Sequence, residues 1–275
     1  MNAKDLIKAG QLSAARNALI ETVKSSPTDL NSRTLLFQVL AFCGEWQKAR
    51  RHLEIIANQD LTRETGVQVY LNLVGAEAQR LEVFHYQKQP SFLPGAPVYN
   101  ELYEFVRQKL ADKEYDEAKS ILNQIKDQLP KISGTLNGNP FVGFSDTDSQ
   151  LSFFLEAFVH EHYVWLPLES IRELSIPVPK TFFDLLWISA QITTWEGLAL
   201  NCYLPVLYPE SFLNEDDRMK LGRMTDWTNI NGGFLRGMGQ HVFQVGEDEV
   251  GILEIREMIF KFPESEKKDE TEHRR

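Results

Sequence analysis

Placed against itself at a shift of 34 residues, the chain aligns Gly10 with Gly44, Leu12 with Trp46, Ala15 with Ala49 and Leu19 with Leu53. That spacing is the tetratricopeptide period, and it restricts the first part of the chain to stacked helical hairpins. Each position has a physical role in such a unit. A glycine ends the first helix in a conformation other residues adopt only with a steric penalty, an apolar residue opens the second helix, and a small alanine lets the two helices approach. Ser26-Pro27-Thr28-Asp29 closes the first unit with residues that favour a helix start, namely an N-cap hydroxyl, a first-turn proline and an acidic group at the positive helix end. A third unit runs from Lys113 to Pro130, with Tyr115, Ala118, Leu122, Ile125 and Pro130 at the offsets of Leu12, Ala15, Leu19, Thr22 and Pro27, and with Lys113 in place of the glycine. Between the units, Thr62 to Tyr86 reads as one longer helix and Pro90 to Pro97 as a turn-rich connector. Residues 1–130 are therefore expected to form an all-α domain of tetratricopeptide-like repeats, with Trp46 buried between helices.

The pattern changes after Pro130. Lys131 to Phe144 holds three glycines, one proline and two asparagines in 14 residues, so residues 131–147 are expected to be a linker. From Asp148 the apolar positions Leu151, Phe154, Leu155 and Phe158 follow the helical stripe and predict an amphipathic helix. Ile188 to Thr194 and Leu198 to Leu207 are β-rich runs joined through Trp195-Glu196-Gly197, which predicts a hairpin. Phe234 to Val245 and Val250 to Phe260 predict a second strand pair, and Leu168 to Leu174 and Asn214 to Leu221 predict short helices. The second domain is thus expected over residues 148–262 as α+β with an antiparallel sheet, followed by a disordered tail, 263–275, whose last 12 residues carry five acids and four bases.

Composition removes several classes of function. A net charge of −10 repels a phosphate backbone, which excludes nucleic acid as the expected partner. Leu185 to Pro209 is apolar enough to suggest a membrane span, but Gln191, Thr193, Thr194, Gly197 and Asn201 interrupt it, so it reads as paired buried strands and no membrane association is expected. The N-terminus carries charges where a secretory signal has its apolar core, which predicts a cytoplasmic chain. Two cysteines far apart, Cys43 and Cys202, offer neither a disulfide framework nor a zinc quartet.

The catalytic patterns each fail at a required position. Gly143-Phe144-Ser145-Asp146-Thr147 approximates a nucleophile elbow but ends on Thr where close packing asks for Gly. The glycines of the segment 232–239 lack the lysine of a phosphate loop and read as turns or bulges. His160 and His162, with His241 or Asp148, could hold a metal, yet they also suit the polar end of the expected helix. Asp146, Asp148 and Glu156 offer carboxylates for acid and base work, with helix capping the simpler role for two of them. An enzyme of unknown, hydrolase-like reaction using these groups is the alternative function. No motif asks for a cofactor.

The order of the remaining motifs is more specific. Tyr163-Val164-Trp165-Leu166-Pro167, Asp184-Leu185-Leu186-Trp187, Leu204-Pro205-Val206-Leu207-Tyr208-Pro209 and Leu221-Gly222-Arg223-Met224-Thr225-Asp226-Trp227 follow the helical repeats. Arg236-Gly237-Met238-Gly239-Gln240 and Asp248-Glu249 with Leu253-Glu254 continue the series. In this the chain resembles the ImpE/SciE family, also called TagJ, along nearly its whole length. The resemblance implies a non-catalytic, cytoplasmic accessory component of a bacterial type VI secretion system. It would bind the small subunit of the contractile sheath through that subunit's N-terminal helix, with the sheath-recycling ATPase as a second candidate partner. His160 and His162 are not features of the family. From the residues themselves, Trp165, Arg223, Asp226, Trp227, Arg236 and Gln240 mix bulky rings with charged and amide groups in glycine-punctuated segments, and are expected to line one partner-binding surface. The competing role is structural, with Arg223 and Asp226 pairing or capping backbone while both Trp rings fill the core.

Overall fold

A computed structural model describes residues 2–262 apart from Gly232; the expected tail, 263–275, lies outside the described residues. Helices come first: α1 (Ala3–Lys8), α2 (Leu12–Ser25), α3 (Leu30–Phe42), α4 (Trp46–Gln59), α5 (Glu64–Phe84), α6 (Asn100–Ala111) and α7 (Tyr115–Gln128). Consecutive helices pack on one another within α1 to α5 and again in α6 and α7. The turns α1–α2, α3–α4 and α6–α7 each pass through a left-handed residue, Gly10 (φ 76°), Gly44 (φ 70°) and Lys113 (φ 63°). At Gly44 space is limiting as well, since a Cβ there would stand 2.3 Å from the Phe212 ring. Ala15, Ala49 and Ala118, the small positions of the three units, are fully buried.

The sheet-rich region holds β2 (Ser133–Leu136), β3 (Asn139–Val142), β4 (Phe144–Asp146), β5 (Phe154–Val159), β6 (His162–Pro167), β7 (Ile171–Ser175), β8 (Trp187–Thr194) and β9 (Ala199–Pro205). After the short helix α8 (Asp217–Lys220) come β10 (Thr225–Asn231), β11 (Phe234–Gly239), β12 (Val242–Val245), β13 (Asp248–Gly251) and β14 (Glu257–Phe260). With β1 (Ser91–Phe92) from the connector before α6, these strands form a nine-stranded sheet ordered β1-β6-β5-β9-β8-β7-β14-β2-β3, a ribbon β10-β11 and a small sheet β13-β12-β4. The large sheet is mixed, because β1 runs parallel to β6 while every other pair in it is antiparallel.

Several expectations are corrected here. The segment expected to be a linker carries β2, β3 and β4. Its Asn137-Gly138 pair, at φ 49° and 84°, makes the two-residue turn that joins β2 to β3. The helix expected from Asp148 is a short turn followed by β5. Phe154 to Phe158 are buried at every position, so the run carries no periodicity, and a strand covered on both faces imitates part of a helical stripe. Only Leu168–Ser170 of the expected helix 168–174 is helical, as a 3-10 turn, and the remainder is in β7. The long run from Phe234 is divided at Gly239-Gln240-His241, so that β11 pairs with β10 while β12 pairs with β13 and β4. The run from Val250 is likewise divided, and β14 joins the large sheet between β7 and β2. The hairpin β8–β9 lies where it was expected.

Helices and sheet share one apolar core. Phe183, between β7 and β8, meets Phe37 and Tyr70 edge-on, Phe42 stacks on Phe182, and Tyr103 packs on Phe154. Trp46 is half-buried rather than enclosed between helices. It stacks on Trp187 of β8 and meets Phe212, because the sheet region covers that side of the α3–α4 hairpin. Among the described residues no helix is long and apolar enough to cross a membrane.

Candidate functional site

The densest chemistry lies where α5 crosses the sheet. Glu77 and Arg80, three residues apart and so on one helix face, stand among the apolar residues Leu73, Val74, Ala76 and Val83 and are themselves buried. Arg80 donates through Nε and Nη2 to Glu156 of β5 (2.9 and 2.7 Å), through Nη1 to Glu77 (3.1 Å) and through Nη2 to the Leu207 carbonyl (2.8 Å). Glu156 also accepts from the Tyr163 hydroxyl on β6, which in turn accepts from Trp165 Nε1. Glu77 accepts from Trp187 Nε1 at 3.2 Å. His241 stands between two carboxylates, Nδ1 at 2.9 Å from Asp146 and Nε2 at 3.0 Å from Glu156.

The electrostatics follow from burial opposed by neighbours. Burial alone would lower the His241 pKa, but Asp146 and Glu156 outweigh it and push it up to about 9, so the ring is an imidazolium donating to both. Burial would raise Glu156, yet Arg80 and His241 hold it well below the usual carboxylate range. Glu77 goes the other way, raised by burial in spite of Arg80. Asp148, which caps the Gly237 and Gln150 amides (2.9 and 2.8 Å), is pushed up to about 6 by burial against the pull of Arg236.

Of the carboxylates read from sequence as acid–base candidates, Asp146 and Glu156 therefore do meet, at His241, which was read as a possible metal ligand. They meet as a saturated clamp, with the lone pairs and N–H groups directed at one another. Two cavities flank them, of about 10 Å³ beside Asp148, Glu156 and Tyr163 and about 20 Å³ beside Glu77, Arg80 and Tyr208. Each has room for about one water. Ser145 of the elbow-like motif pairs within a sheet with Gln244 and makes no strand-to-helix turn. His160 and His162 sit at the exposed β5–β6 turn, apart from the buried His241. Arg80, Glu77 and the Tyr163 hydroxyl were not singled out from sequence. The available signal was an acid and a base at helical spacing on an otherwise apolar stripe of α5.

The six residues expected to bind a partner occupy three kinds of place. Asp226, Trp227 and Arg236 lie on the ribbon, where Trp227 pairs with Gly237 and Thr228 with Arg236. Asp226 is exposed and accepts from the Trp227 amide at 2.9 Å, and the half-buried Trp227 donates through Nε1 to Thr147 Oγ1 at 2.9 Å. At the base of the ribbon, Gln240 donates to the Gly222 carbonyl (2.8 Å) and accepts from the Leu253 amide (3.2 Å). Arg223 reaches across to donate to the carbonyls of Ile7 and Lys8, both at 2.9 Å, capping the end of α1. Arg223 and Asp226 thus each cap backbone. Trp165 is 1% exposed and belongs to the core, packed against Phe92, Tyr103 and Phe154.

A helical layer fastened to a mixed sheet by a buried ion network defines an α+β scaffold. Residues 138–259, which contain every strand from β4 to β13 and all six expected contact residues, match the family model of the ImpE protein. The chain is 33% identical over 264 residues to the type VI secretion system accessory component TagJ of Pseudomonas aeruginosa, covering 95% of this chain and 92% of that relative. It belongs to the ImpE/TagJ family. The crystal structure of protein VPA1032 from Vibrio parahaemolyticus has the same fold, with a TM-score of 0.85 at 23% identity, over 94% of this chain and 97% of that one.

Proposed function

We propose that this chain is a non-catalytic, cytoplasmic accessory component of a bacterial type VI secretion system, and that it binds the N-terminal helix of the small contractile-sheath subunit. The observation that carries the reading is the likeness to TagJ, which runs through the helices as well as the sheet region and so extends to the surfaces both present. The burial of the Asp146–His241–Glu156 cluster beside water-sized cavities supports a binding role over the hydrolase-like alternative. The ribbon is the proposed contact surface, with Arg223, Asp226, Trp227 and Arg236 as its reachable members and Trp165 and Gln240 as supports.

Asp226 is the cleanest probe, since its side chain is exposed and bonds only to its own strand. Fluorescence anisotropy with a labelled peptide of the sheath subunit's N-terminal helix should give saturable binding to the wild-type protein. Asp226→Arg should weaken it by at least about 1 kcal/mol while leaving folding stability within about 0.5 kcal/mol. No binding by the wild-type chain would overturn the partner assignment. Equal binding by both proteins would remove the ribbon from the contact surface and direct attention to the helical hairpins.

A further inference from the structure

A helix on the surface of a soluble protein ordinarily carries one apolar stripe, and α6 carries two. Tyr103, Val106 and Leu110 form the inward stripe and are buried. Val98, in the turn that enters α6, begins a second stripe with Leu102 and Phe105, and their four-three spacing continues to the stem of Lys109. Val98 is fully exposed, Phe105 is 56% exposed and Leu102 is half-buried. Four-three spacing is the seam by which one helix packs along another. This seam runs for about 16 Å, roughly three turns of helix, on the outside of the molecule.

The surroundings set the charge that an occupant of the seam must carry. Residues 98–117 hold six acids against Arg107, Lys109 and Lys113. Arg107 is buried, and the Lys109 head is engaged by Glu114 and, at 2.7 Å, by Glu117 of α7. Glu101 and Asp112, four residues before Phe105 and seven after it, stand beside its ring on the outward face. Both are exposed, and neither has an ion-pair partner among the described residues. Asp112 is also the C-cap of α6, where the negative end of the helix dipole disfavours an acid and welcomes a cation.

We propose that the Val98–Leu102–Phe105 seam docks a basic amphipathic helix of a partner protein, with its apolar face on the seam and its lysines or arginines beside Glu101 and Asp112. Helix-to-helix recognition of this kind takes its affinity from apolar anchors and its choice of partner from the flanking charges. The seam is separate from the ribbon assigned to the sheath subunit. Helix α7 stands between them, holding Lys109 of α6 through Glu117 and packing Tyr115 on Phe234 of β11.

The test uses the full chain and a labelled synthetic helix with leucines at four-three spacing and lysines flanking them, beside a counterpart with glutamates in place of the lysines. Fluorescence anisotropy should show saturable binding of the lysine peptide and at least about tenfold weaker binding of the glutamate peptide. Phe105→Ser removes an exposed ring, so it should leave the melting temperature within about 2 °C and weaken the lysine peptide at least about tenfold. The double variant Glu101→Lys, Asp112→Lys should invert the preference between the peptides, which a general attraction to an acidic protein would not do. Asp226→Arg should leave this binding unchanged, so the outcome here is independent of the ribbon assignment. No saturable binding, binding unaffected by Phe105→Ser, or no inversion in the double variant would overturn the proposal. So would a concentration-dependent dimer in light scattering that Phe105→Ser abolishes, which would name a second copy of this chain as the occupant.

Discussion

His241 shows how much a single residue's role depends on its surroundings. In the unfolded chain its pKa is near 6.5, and between Asp146 and Glu156 it is pushed up to about 9. The folded protein therefore holds this proton more tightly, and the resulting stability is complete below pH 6.5 and lost as pH rises through 9. Urea unfolding at pH 6.5 and pH 9.5 should show the wild-type protein losing up to about 3 kcal/mol across that window. His241→Gln should be less stable at pH 6.5 and lose clearly less than the wild type across the window, its remaining slope coming from the buried thiols of Cys43 and Cys202. Asp148, pushed up to about 6, titrates below the window, whereas the buried thiols of Cys43 and Cys202, pushed up to about 11 and about 12, also take stability away as pH passes 9, so the His241 contribution is the difference between the two proteins. A wild-type protein as stable at pH 9.5 as at 6.5 would mean that His241 is neutral and the clamp weaker than drawn. Arg236 makes the same point about context. Its place among aromatic and polar residues in a glycine-punctuated segment suggested an exposed contact residue, whereas its guanidinium lies on Phe84 and bonds Tyr86, so its removal disturbs packing as well as any partner.

At the scale of elements, the segment from α8 to Arg223 grips the α1–α2 turn from both sides. Asp217 accepts from the Ser13 amide and hydroxyl (2.8 and 3.0 Å) at the positive end of α2, and Arg223 caps the negative end of α1. Helix α1 has six residues and buries only Ile7, too little to hold a short helix alone. Arg223→Ala should therefore cost about 1 kcal/mol, seen as faster hydrogen exchange of the α1 amides with exchange in α3 and α5 unchanged. Unaltered protection in α1 would show that its packing on α2 suffices. Element type was legible in the longer runs whose burial was one-sided. Ala15, Leu19, Ala49 and Leu53 recur at helical spacing because those helices bury one stripe, and β8–β9 shows alternation for the matching reason. It failed at β5, where both faces are covered and hydrophobicity carries no period. The Asn137-Gly138 turn was written in the sequence as a hairpin signal but was read as linker punctuation.

At the scale of the molecule, the helical region finishes its core on the sheet. Arg80 finds Glu156 76 residues away, Trp46 stacks on Trp187, and Phe37 and Tyr70 close on Phe183. Residues 1–130 expressed alone would expose Glu77, Arg80 and this aromatic seam, and a buried charge stripped of its partner costs about 3 to 5 kcal/mol. The full chain should unfold in a single calorimetric transition, and the 1–130 fragment should lack a cooperative one. Two resolved transitions in the full chain would establish independent domains. What the sequence determined by itself is the set of local choices: helical hairpins first, strands later, turns at Gly10, Gly44 and Asn137-Gly138, and the family these motifs define. Local periodicity and turn chemistry act between neighbours, and neighbours are visible in a sequence. Only the tertiary structure decided that β14 joins the sheet beside β2, that Trp165 is core, and that Asp146 and His241, 95 residues apart, neutralise one another with Glu156 and Arg80. Such pairings are selected by the shared exclusion of water, which depends on the whole packed chain and leaves no fixed spacing to read.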